Sequence, residues 1–355
     1  MWLSYDILVL FSLSLSLIVV VVSVPSIVTI AHLKHLYDFS DRGKNYDQNI
    51  PNLGGIAIFA GLVVGTGLCV NISESKELMQ VLVAMLVMFY IGIKDDILVI
   101  APAKKLFGII LSAIIVVILA DIRFTSLHGF MGIYEIDYVA SIILTGFVVV
   151  VLINAFNLID GIDGLASGIG IVVSLTFGIW FFLTGHSNYA ILSAAICGSL
   201  FAFFGFNVFG KKNKIFMGNS GSLVLGLIIS VLVIKFNEFN ISYNGLYTVS
   251  SAPAVSFGIL IVPVFDTLRV FIIRLLHWRS LFLTDRDHLY HRVLELGLSQ
   301  VGSTLVILIV NILFIFIMLM CQTAGLILLM ILNLSLALFF SIITEILVRR
   351  HKQHS

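Results

Sequence analysis

Eleven long apolar runs restrict the fold of this chain more than any other feature. A helix needs roughly 20 apolar residues to cross a bilayer, so the runs predict an all-α polytopic membrane protein with about eleven transmembrane helices. The composition agrees, because 60% of the 355 residues are hydrophobic and only 11% are charged. The runs cover about residues 7–31, 53–71, 78–93, 106–120, 139–155, 165–183, 189–207, 221–236, 253–273, 303–321 and 325–345.

Basic residues are distributed unequally between the two faces that eleven spans would create. Of the twenty Lys and Arg residues, only Lys76, Arg123 and Lys235 fall on one face, and the others share a face with the C-terminus. Because cytoplasmic loops are enriched in Lys and Arg, we expect the N-terminus outside and the C-terminus in the cytoplasm. The first run is expected to be a span and not a signal peptide, since MWLSYD before it contains no basic residue.

The chain is expected to form one integral-membrane domain over residues 1–355, because no internal repeat or linker interrupts it. Two parts of the predicted cytoplasmic face stand out, a large loop at 269–302 and a basic tail at 346–355. Segment 122–138 is compatible both with a short strand pair and with a re-entrant piece. The three cysteines are isolated in apolar segments, so neither a disulfide nor a zinc site is expected.

Two adjacent carboxylates follow the third run. Asp95 and Asp96 lie in GIKDDI, and neighbouring carboxylates repel each other unless a cation or a base is close. Lys105, in KKLFG at the start of the next run, is a candidate counter-charge or phosphate contact. A solvated helix end is the alternative interpretation of the two aspartates.

The stretch NAFNLIDGIDGLA, residues 154–166, places four polar side chains at the end of the fifth run. Asn154, Asn157, Asp160 and Asp163 recur every three residues, which puts much of the set on one side of a helix end. The glycines between them end the helix and allow a ligand to approach the backbone closely. Because ionisable groups at membrane depth are functional candidates, we interpret the stretch as part of a site, with a polar cap and turn as the alternative.

Two further clusters lie on the same predicted face. FNVFGKKNKIFMGNSGS, residues 206–222, combines lysines with a glycine-rich turn that opens the eighth run, where backbone N–H groups can receive an anion. The inner loop at 274–300 mixes basic and acidic residues, and an amphipathic helix on the membrane surface is its alternative interpretation. Its basic and histidine residues include Arg279, Arg286, Arg292, His288 and His291, and all but Arg286 are candidate site residues.

One acidic residue lies inside the ninth run. Asp266, in PVFDTLRV, is three residues before Arg269, which is the spacing of an ion pair on one helix face. We therefore expect Asp266 to stabilise its own helix by pairing with Arg269, and a direct chemical role is the alternative.

Together these clusters indicate a site for a polyanionic ligand. Carboxylate and amide oxygens suit Mg²⁺, while Lys and Arg suit phosphate oxygens. A site of oxygens and bases, without a Ser–His or Cys–His pair, is typical of phosphoryl transfer, where positioning and charge neutralisation supply most of the catalysis. The residues therefore predict metal-assisted phosphoryl transfer to or from a lipid at the cytoplasmic surface.

The same motifs resemble those of the polyprenyl-phosphate N-acetylhexosamine-1-phosphate transferase superfamily. The resemblance runs from about residue 36 to 300 and includes GIKDDI, NAFNLIDGIDGLASG, KIFMGNSGS, PVFDTLRV and DRDHLYHRVLELGLS in order. Within that superfamily, the chain looks more like the glycan-initiating enzymes than the peptidoglycan phospho-MurNAc-pentapeptide translocase.

The resemblance implies a reaction, a cofactor and a location. An N-acetylhexosamine-1-phosphate would pass from a UDP-sugar to undecaprenyl or another polyprenyl phosphate, with release of UMP and the start of cell-surface glycan synthesis. Mg²⁺ is the expected cofactor, with Mn²⁺ as the alternative. The enzyme would lie in the cytoplasmic membrane with its active site facing the cytoplasm. No nucleic acid partner is expected, and a homodimer is left open.

The resemblance also implies roles for individual residues. Asp95 and Asp96 match an acidic pair near the acceptor phosphate, and Lys105 matches a phosphate-binding lysine. Asn157 and Asn219 match groups at the Mg²⁺ ion and the diphosphate.

Other matching residues surround the donor. Asp160 belongs to the same catalytic cleft, and the groups around the uridine correspond to Gly161, Asp163, Asn207 and Phe216. The loop expected to read the sugar and the diphosphate contributes His288, His291 and Arg292, with Arg279 as a further substrate-binding candidate.

The sequence departs from the superfamily pattern at several positions. Asn219 stands where motifs of the FMGDTGS type have Asp, so weaker metal binding is expected, and a catalytically weakened member is the alternative function. Tyr290 replaces a common His, Tyr46 stands where the first inner loop often has His, and Ile109 stands where Gln is frequent.

Other classes of membrane protein fit the sequence less well. A transporter is a rival, but the clusters lie on one face and no two-half symmetry is visible. A CDP-alcohol phosphotransferase would also use paired aspartates, but its DGxxAR spacing is absent.

Overall fold

The computed structural model describes residues 4–37, 50–71, 75–276 and 288–354. A π-helical turn (Ile115–Leu119) extends α4, and the strands β1 (Ser126–Phe130) and β2 (Ile133–Glu135) lie between α4 and α5. The helices within the described residues are α1 (Tyr5–Lys34), α2 (Gly54–Gly67), α3 (Lys76–Leu98), α4 (Pro102–Ile114), α5 (Tyr138–Ile159), α6 (Leu165–Leu183), α7 (Ser187–Phe209), α8 (Gly218–Ser242), α9 (Ala252–Ile259), α10 (Ile261–Leu276), α11 (Leu289–Leu294), α12 (Gln300–Met320) and α13 (Leu326–His354).

A helix or a helix pair lies at each of the eleven apolar runs. In the described part of the chain, eight helices are long and apolar enough to cross a membrane, and the bent pair α9–α10 makes a ninth if it is one span. The helical, polytopic membrane architecture follows from these helices. α2 has only 14 residues and α3 carries charges at both ends, so eleven spans and their orientation stay predictions.

α8 forms the centre of the helix bundle. It is buried along nearly all of its length and packs against α2, α3, α5 and α6. Glycines permit these close approaches: a Cβ on Gly92 of α3 would lie 2.4 Å from the Cα atom of Ser220, and a Cβ on Gly55 of α2 would lie 2.1 Å from the Gly221 nitrogen. Small residues at helix contacts are typical of membrane bundles, where close van der Waals packing drives association.

The pair α9–α10 is bent by 80° between Ile259 and Ile261. Pro263 accounts for the break, because it lacks the N–H that would donate to the Ile259 carbonyl in a continuous helix. The side chain of Asn311 in α12 donates to that carbonyl instead, at 3.2 Å. The Ile259 carbonyl, which the break leaves without a partner in its own helix, thus receives a hydrogen bond from a neighbouring helix.

Segment 122–138 contains a short strand pair, which decides between the two alternatives that the sequence left open. β1 and β2 pair in antiparallel fashion. Glu238 of α8 holds the approach to the hairpin, accepting hydrogen bonds from the Thr125 nitrogen at 2.8 Å and from its hydroxyl at 2.7 Å.

Both segments predicted as a loop or tail on the cytoplasmic face are partly helical. Within the range 269–302, α10 continues to Leu276, α11 follows, and α12 begins at Gln300, while 277–287 lie outside the described residues. The basic tail at 346–355 continues α13 as far as His354. The apolar runs ended earlier than these helices because polar residues continue a helix beyond its apolar part.

A second polar cluster lies at the end of α8 opposite to Asn219. Lys235 pairs with Glu77 of α3 at 2.6 Å, and the hydroxyl of Tyr189 in α7 donates to the same carboxylate. The ammonium group of Lys235 also lies over the rings of Tyr189 and Phe239. This cluster joins the starts of α3 and α7 to the last part of α8.

Candidate active site

Four helix ends meet at one end of the bundle and bring together residues that are far apart in the sequence. The C-terminal ends of α3 and α5 carry Asp95, Asp96 and Asn157, while the N-terminal ends of α4 and α8 carry Lys105 and Asn219. Helix N-termini have free N–H groups and a partial positive charge, so two of these ends favour anions.

The Lys105 ammonium group is the centre of this cluster. It donates to Oδ1 of Asn157 at 2.9 Å and to Oδ1 of Asn219 at 2.5 Å, and it pairs with Oδ2 of Asp95 at 3.2 Å. Asn157 also donates through Nδ2 to Oδ1 of Asn219 and to the hydroxyl of Ser222, both at 2.8 Å. One carboxylate and two amide oxygens therefore face a single cation.

Asp96 binds the start of α8 and not Lys105 itself. Its Oδ1 accepts from the backbone nitrogen of Asn219 at 2.6 Å and from Nδ2 of the same residue at 3.2 Å. Its Oδ2 accepts from the nitrogen and the hydroxyl of Ser220 at 3.0 and 2.7 Å. A carboxylate in this place satisfies the free N–H groups of a helix start, as a capping side chain does.

The two adjacent aspartates thus have different environments. Asp95 accepts from the Ile100 nitrogen at 2.9 Å through Oδ1 and faces Lys105 through Oδ2. The positive charge of Lys105 and the N-terminus of α8 compensate the repulsion that the sequence predicts for the pair. The cation expected nearby from their spacing is Lys105.

The turn DGIDG after α5 is fixed by contacts from three other segments. The Gly164 nitrogen donates to Oδ1 of Asn207 at 2.6 Å, and a φ of +77° at this residue requires glycine. Asp163 pairs with Lys214 at 2.6 Å, and its carbonyl accepts from the hydroxyl of Thr304 at 2.7 Å. Asn207 also donates to the Ile215 carbonyl at 2.9 Å, which ties the turn to the loop before α8.

A small cleft opens beside this turn. The four residues predicted to surround the uridine all line it, namely Gly161, Asp163, Asn207 and Phe216. Asp160 and Ile162 of the same turn and Gln300 of α12 complete the wall. Asp163 and Asn207 are each only 5% exposed. Burial and their contacts leave both side chains little freedom to move.

α11 packs directly against the DGIDG turn. A Cβ on Gly161 would lie 2.0 Å from the hydroxyl oxygen of Tyr290, so this contact requires glycine. The Tyr290 ring also stacks near His288 and His291, at centroid distances of 5.6 and 4.3 Å. The predicted sugar loop and the predicted catalytic turn are therefore neighbours.

Asp266 contacts the start of α11, so the expected Asp266–Arg269 ion pair is wrong. Its Oδ2 lies 2.8 Å from Nδ1 of His288, and its Oδ1 accepts from the Leu289 nitrogen at 2.6 Å. The i,i+3 spacing with Arg269 is real, but two neighbouring residues, 22 and 23 positions away in the sequence, each contact one of the carboxylate oxygens.

Arg292 contacts two carboxylates, one directly after α11 and one in α13. It pairs with Glu295 at 3.3 Å and lies 3.9 Å from Glu345 of α13, and Lys352 pairs with Glu295 at 2.9 Å. The hydrogen bond from Lys352 lowers the pKa of the Glu295 carboxyl below its ordinary value. A substrate role for Arg292 stays a prediction, as does that of Arg279, which lies outside the described residues.

The oxygens around Lys105 fit a magnesium ion only with help from a substrate. The described residues contain no group of three or more His, Cys, Asp and Glu side chains arranged for a metal. Asp95, Asn157 and Asn219 supply one carboxylate and two amide oxygens, and Mg²⁺ in proteins is often held by one or two carboxylates together with substrate phosphates. These three residues would hold the ion.

Several residues of the site carry no strong signal in the sequence. Ser220 and Ser222 lie in the GNSGS turn, and Tyr290 was noted only as a departure from a pattern. Gln300 and Thr304, at the start of α12, reach the turn from about 140 residues away. Because such contacts depend on how the helices pack, spacing along the chain does not reveal them.

Comparison with known proteins gives one family and several relatives. The profile of Glycosyl transferase family 4 matches residues 78–237. A probable undecaprenyl-phosphate N-acetylglucosaminyl 1-phosphate transferase of Bacillus subtilis is 31% identical over 335 residues, covering 93% of this chain and 90% of that protein.

Two more distant relatives have related names. A decaprenyl-phosphate N-acetylglucosaminephosphotransferase of Mycobacterium leprae is 29% identical over 281 residues, covering 72% of this chain and 69% of that protein. An undecaprenyl-phosphate alpha-N-acetylglucosaminyl 1-phosphate transferase of Salmonella typhi is 28% identical over 268 residues, covering 75% and 71%. The family match at 78–237 includes all four helix ends that meet around Lys105.

Proposed function

The chain belongs to Glycosyl transferase family 4, within the polyprenyl-phosphate sugar-1-phosphate transferases, and we propose that it uses a UDP-N-acetylhexosamine as donor. The acceptor is undecaprenyl phosphate or another polyprenyl phosphate, and the products are UMP and a polyprenyl-diphospho-sugar. UDP-N-acetylglucosamine is the first donor to test, because the names of three relatives contain N-acetylglucosamine.

The observation that carries this proposal is the Lys105 cluster beside the DGIDG cleft. Lys105 offers a positive charge, and the N-terminus of α8, whose Asn219 and Ser220 N–H groups are bound by Asp96, lies close by. Lys214, paired with Asp163, adds a second cation at the cleft. Cations and helix N-termini around a cleft suit two phosphate-bearing reactants, and preorganised positive charge stabilises the charge that develops during phosphoryl transfer.

The transfer step follows from the chemistry of the two reactants. An oxygen of the lipid phosphate attacks the phosphorus that bears the sugar, and the bond from that phosphorus to the oxygen of UMP breaks. The attacking monoester needs no base near neutral pH, because its second pKa is about 6. We therefore assign Asp95 the role of orienting Lys105 and the nucleophile, in preference to proton abstraction.

In this proposal, oxygens of the Lys105 cluster would hold the magnesium ion. When bound by Asp95, Asn157 and Asn219, the ion would neutralise phosphate oxygens of the donor. Lys105 contacts the same three oxygens, so the ammonium group and the ion would compete for them. Asn219 adds an oxygen but no negative charge, which supports the alternative of a weakened transferase with low metal affinity.

The proposed location is the cytoplasmic membrane, with the Lys105 cluster open to the cytoplasm and the product used to begin a cell-surface glycan. The cluster lies at the end of the bundle where the sequence concentrates its basic residues, and UDP-sugars are cytoplasmic compounds. A transporter would instead carry its polar residues near the bilayer midplane.

One assay tests the proposal against its alternatives. Purified protein is incubated with undecaprenyl phosphate, Mg²⁺ and a panel of UDP-sugars, and UMP and the lipid product are measured. Lipid-dependent UMP release is expected for at least one N-acetylhexosamine donor. A transporter would accumulate intact UDP-sugar in vesicles without releasing UMP, and a degenerate member would do neither.

A further inference from the structure

Asp266 joins α10 to the beginning of α11. Its Oδ1 accepts from the Leu289 nitrogen at 2.6 Å, while its Oδ2 lies 2.8 Å from Nδ1 of His288. The two residues are almost completely buried, with Asp266 2% and His288 4% exposed. A buried carboxylate with both oxygens engaged fixes the backbone at the start of α11 and one edge of the His288 ring.

This contact also sets the position of the ring proton. An ionised carboxylate only accepts hydrogen bonds, so the ring donates from Nδ1. The neutral form of that tautomer carries no proton on Nε2, which is then a hydrogen-bond acceptor. A hydroxyl or amide N–H is the matching partner for such an atom, whereas a phosphate oxygen is not.

The contact between Asp266 and His288 also affects the DGIDG turn, through the residues of α11 that follow His288. The rings of His288 and Tyr290 are nearly parallel, with an angle of 11° between them, and the Tyr290 hydroxyl touches Gly161. Whatever holds the first residues of α11 therefore also holds Tyr290 against Gly161, which lines the cleft.

We propose that Asp266 is a positioning residue that fixes His288 as the Nδ1–H tautomer, so that Nε2 accepts a hydrogen bond from the sugar of the donor. N-acetylhexosamines offer hydroxyl groups and an acetamido N–H as donors to that atom. The inference rests on the proposed transfer of N-acetylhexosamine-1-phosphate, and it gives His288 a sugar contact and not a phosphate contact.

A pair of amide substitutions separates the two nitrogen atoms of His288. In His288→Asn, the amide N–H₂ can still donate to Asp266, but nothing occupies the place of Nε2. We expect this variant to keep the wild-type melting temperature and to raise KM for the UDP-sugar roughly five- to tenfold, the effect of one hydrogen bond, with a smaller change in kcat. A wild-type KM in a folded His288→Asn protein would overturn the sugar contact.

The Asp266→Asn substitution tests the tautomer without any need for turnover. Its amide oxygen can still accept from Leu289, but its N–H₂ group donates to Nδ1, so the ring proton should move to Nε2. Nitrogen-15 NMR of histidine-labelled protein in detergent, with His288→Asn to assign the signal, reports which nitrogen carries the proton. We expect Nδ1–H in the wild type and Nε2–H in the variant.

Two results distinguish this inference from the proposed function. An identical His288 signal in wild type and Asp266→Asn, or an Nε2–H signal in the wild type, would overturn the role of Asp266. A wild-type protein that releases no UMP would instead defeat the transferase proposal while leaving the tautomer result valid.

Discussion

At the scale of single residues, neighbours in the sequence have separate tasks. Asp96 accepts four hydrogen bonds from Asn219 and Ser220 and so holds the start of α8, whereas Asp95 faces Lys105. The sequence could predict that a base lies near the aspartates, because like charges at this spacing require compensation. It could not assign one aspartate to each partner, since the partners come from helices that meet only in the fold.

Loss of the Lys105 charge should affect catalysis strongly. In Lys105→Met, three polar groups that face the ammonium lose their cation, and kcat/KM for UMP release should fall about 100-fold, the typical cost of one preorganised electrostatic contact. The matched control is Lys104→Met, because the Lys104 side chain is exposed on the same helix turn. Equal activity of the two variants would remove Lys105 from the reaction.

Introduction of a carboxylate at position 219 should increase the demand for a metal ion. The Asn219 Nδ2 atom donates to Asp96 at 3.2 Å. In Asn219→Asp, a carboxylate would therefore lie beside the Asp96 carboxylate, and two neighbouring carboxylates favour a nearby cation. UMP release measured against Mg²⁺ concentration should show half-saturation at a lower concentration than in the wild type.

Asn154→Asp is the control for this effect, because it adds the same charge one helical turn from Asn157. Its side chain donates to the Val150 carbonyl of its own helix and does not contact the Lys105 cluster. Equal half-saturation in Asn219→Asp and wild type would exclude position 219 from the metal site.

At the scale of helices, the sequence predicted where elements lie better than how they meet. Apolar runs locate the membrane helices because lipid requires long apolar stretches with internally satisfied backbones. The bend between α9 and α10 has a local signal in Pro263, yet the donor for the Ile259 carbonyl at the bend is Asn311 from α12, which no local pattern indicates. The contact between α11 and the DGIDG turn depends on Gly161 and Tyr290, which are 129 positions apart in the numbering.

The contact between α3 and α8 should tolerate no additional carbon atom at Gly92. A Cβ there would lie 2.4 Å from the Ser220 Cα atom, which is backbone and cannot rotate away. Gly92→Ala should therefore cost about 1–3 kcal/mol of stability and displace Asp96, one turn further along, from its partners on α8. Thermal unfolding in detergent and UMP release should both decrease.

Gly146→Ala provides the matched control in the middle of another helix. No heavy atom outside its own helix surroundings lies within 4 Å of a Cβ at Gly146. Alanine is the better helix former by up to about 1 kcal/mol, so this variant should be as stable as the wild type or slightly more stable. A Gly92→Ala protein as stable and active as Gly146→Ala would contradict the tight α3–α8 contact.

At the scale of the whole molecule, α8 carries a polar cluster near each end. Asn219 belongs to the Lys105 cluster, and Lys235 belongs to the cluster with Glu77 and Tyr189. The sixteen residue steps of helix between them span about 24 Å, somewhat less than the roughly 30 Å of the hydrocarbon core. The separation agrees with one membrane crossing, with the two clusters at opposite surfaces.

The direction of that crossing is the last prediction. Lys212, in the loop before α8, and Asn244, after it, are both exposed, and the distribution of basic residues places them in the cytoplasm and outside, respectively. In a background without Cys69, Cys197 and Cys321, a membrane-impermeant thiol reagent added to intact cells should label Asn244→Cys and not Lys212→Cys. Lys212→Cys should react only after permeabilisation, because the proposed reaction requires the Lys105 cluster to face the compartment that supplies the UDP-sugar. The reverse labelling pattern would place the cluster outside, away from that supply, and would defeat both the orientation and the proposed donor.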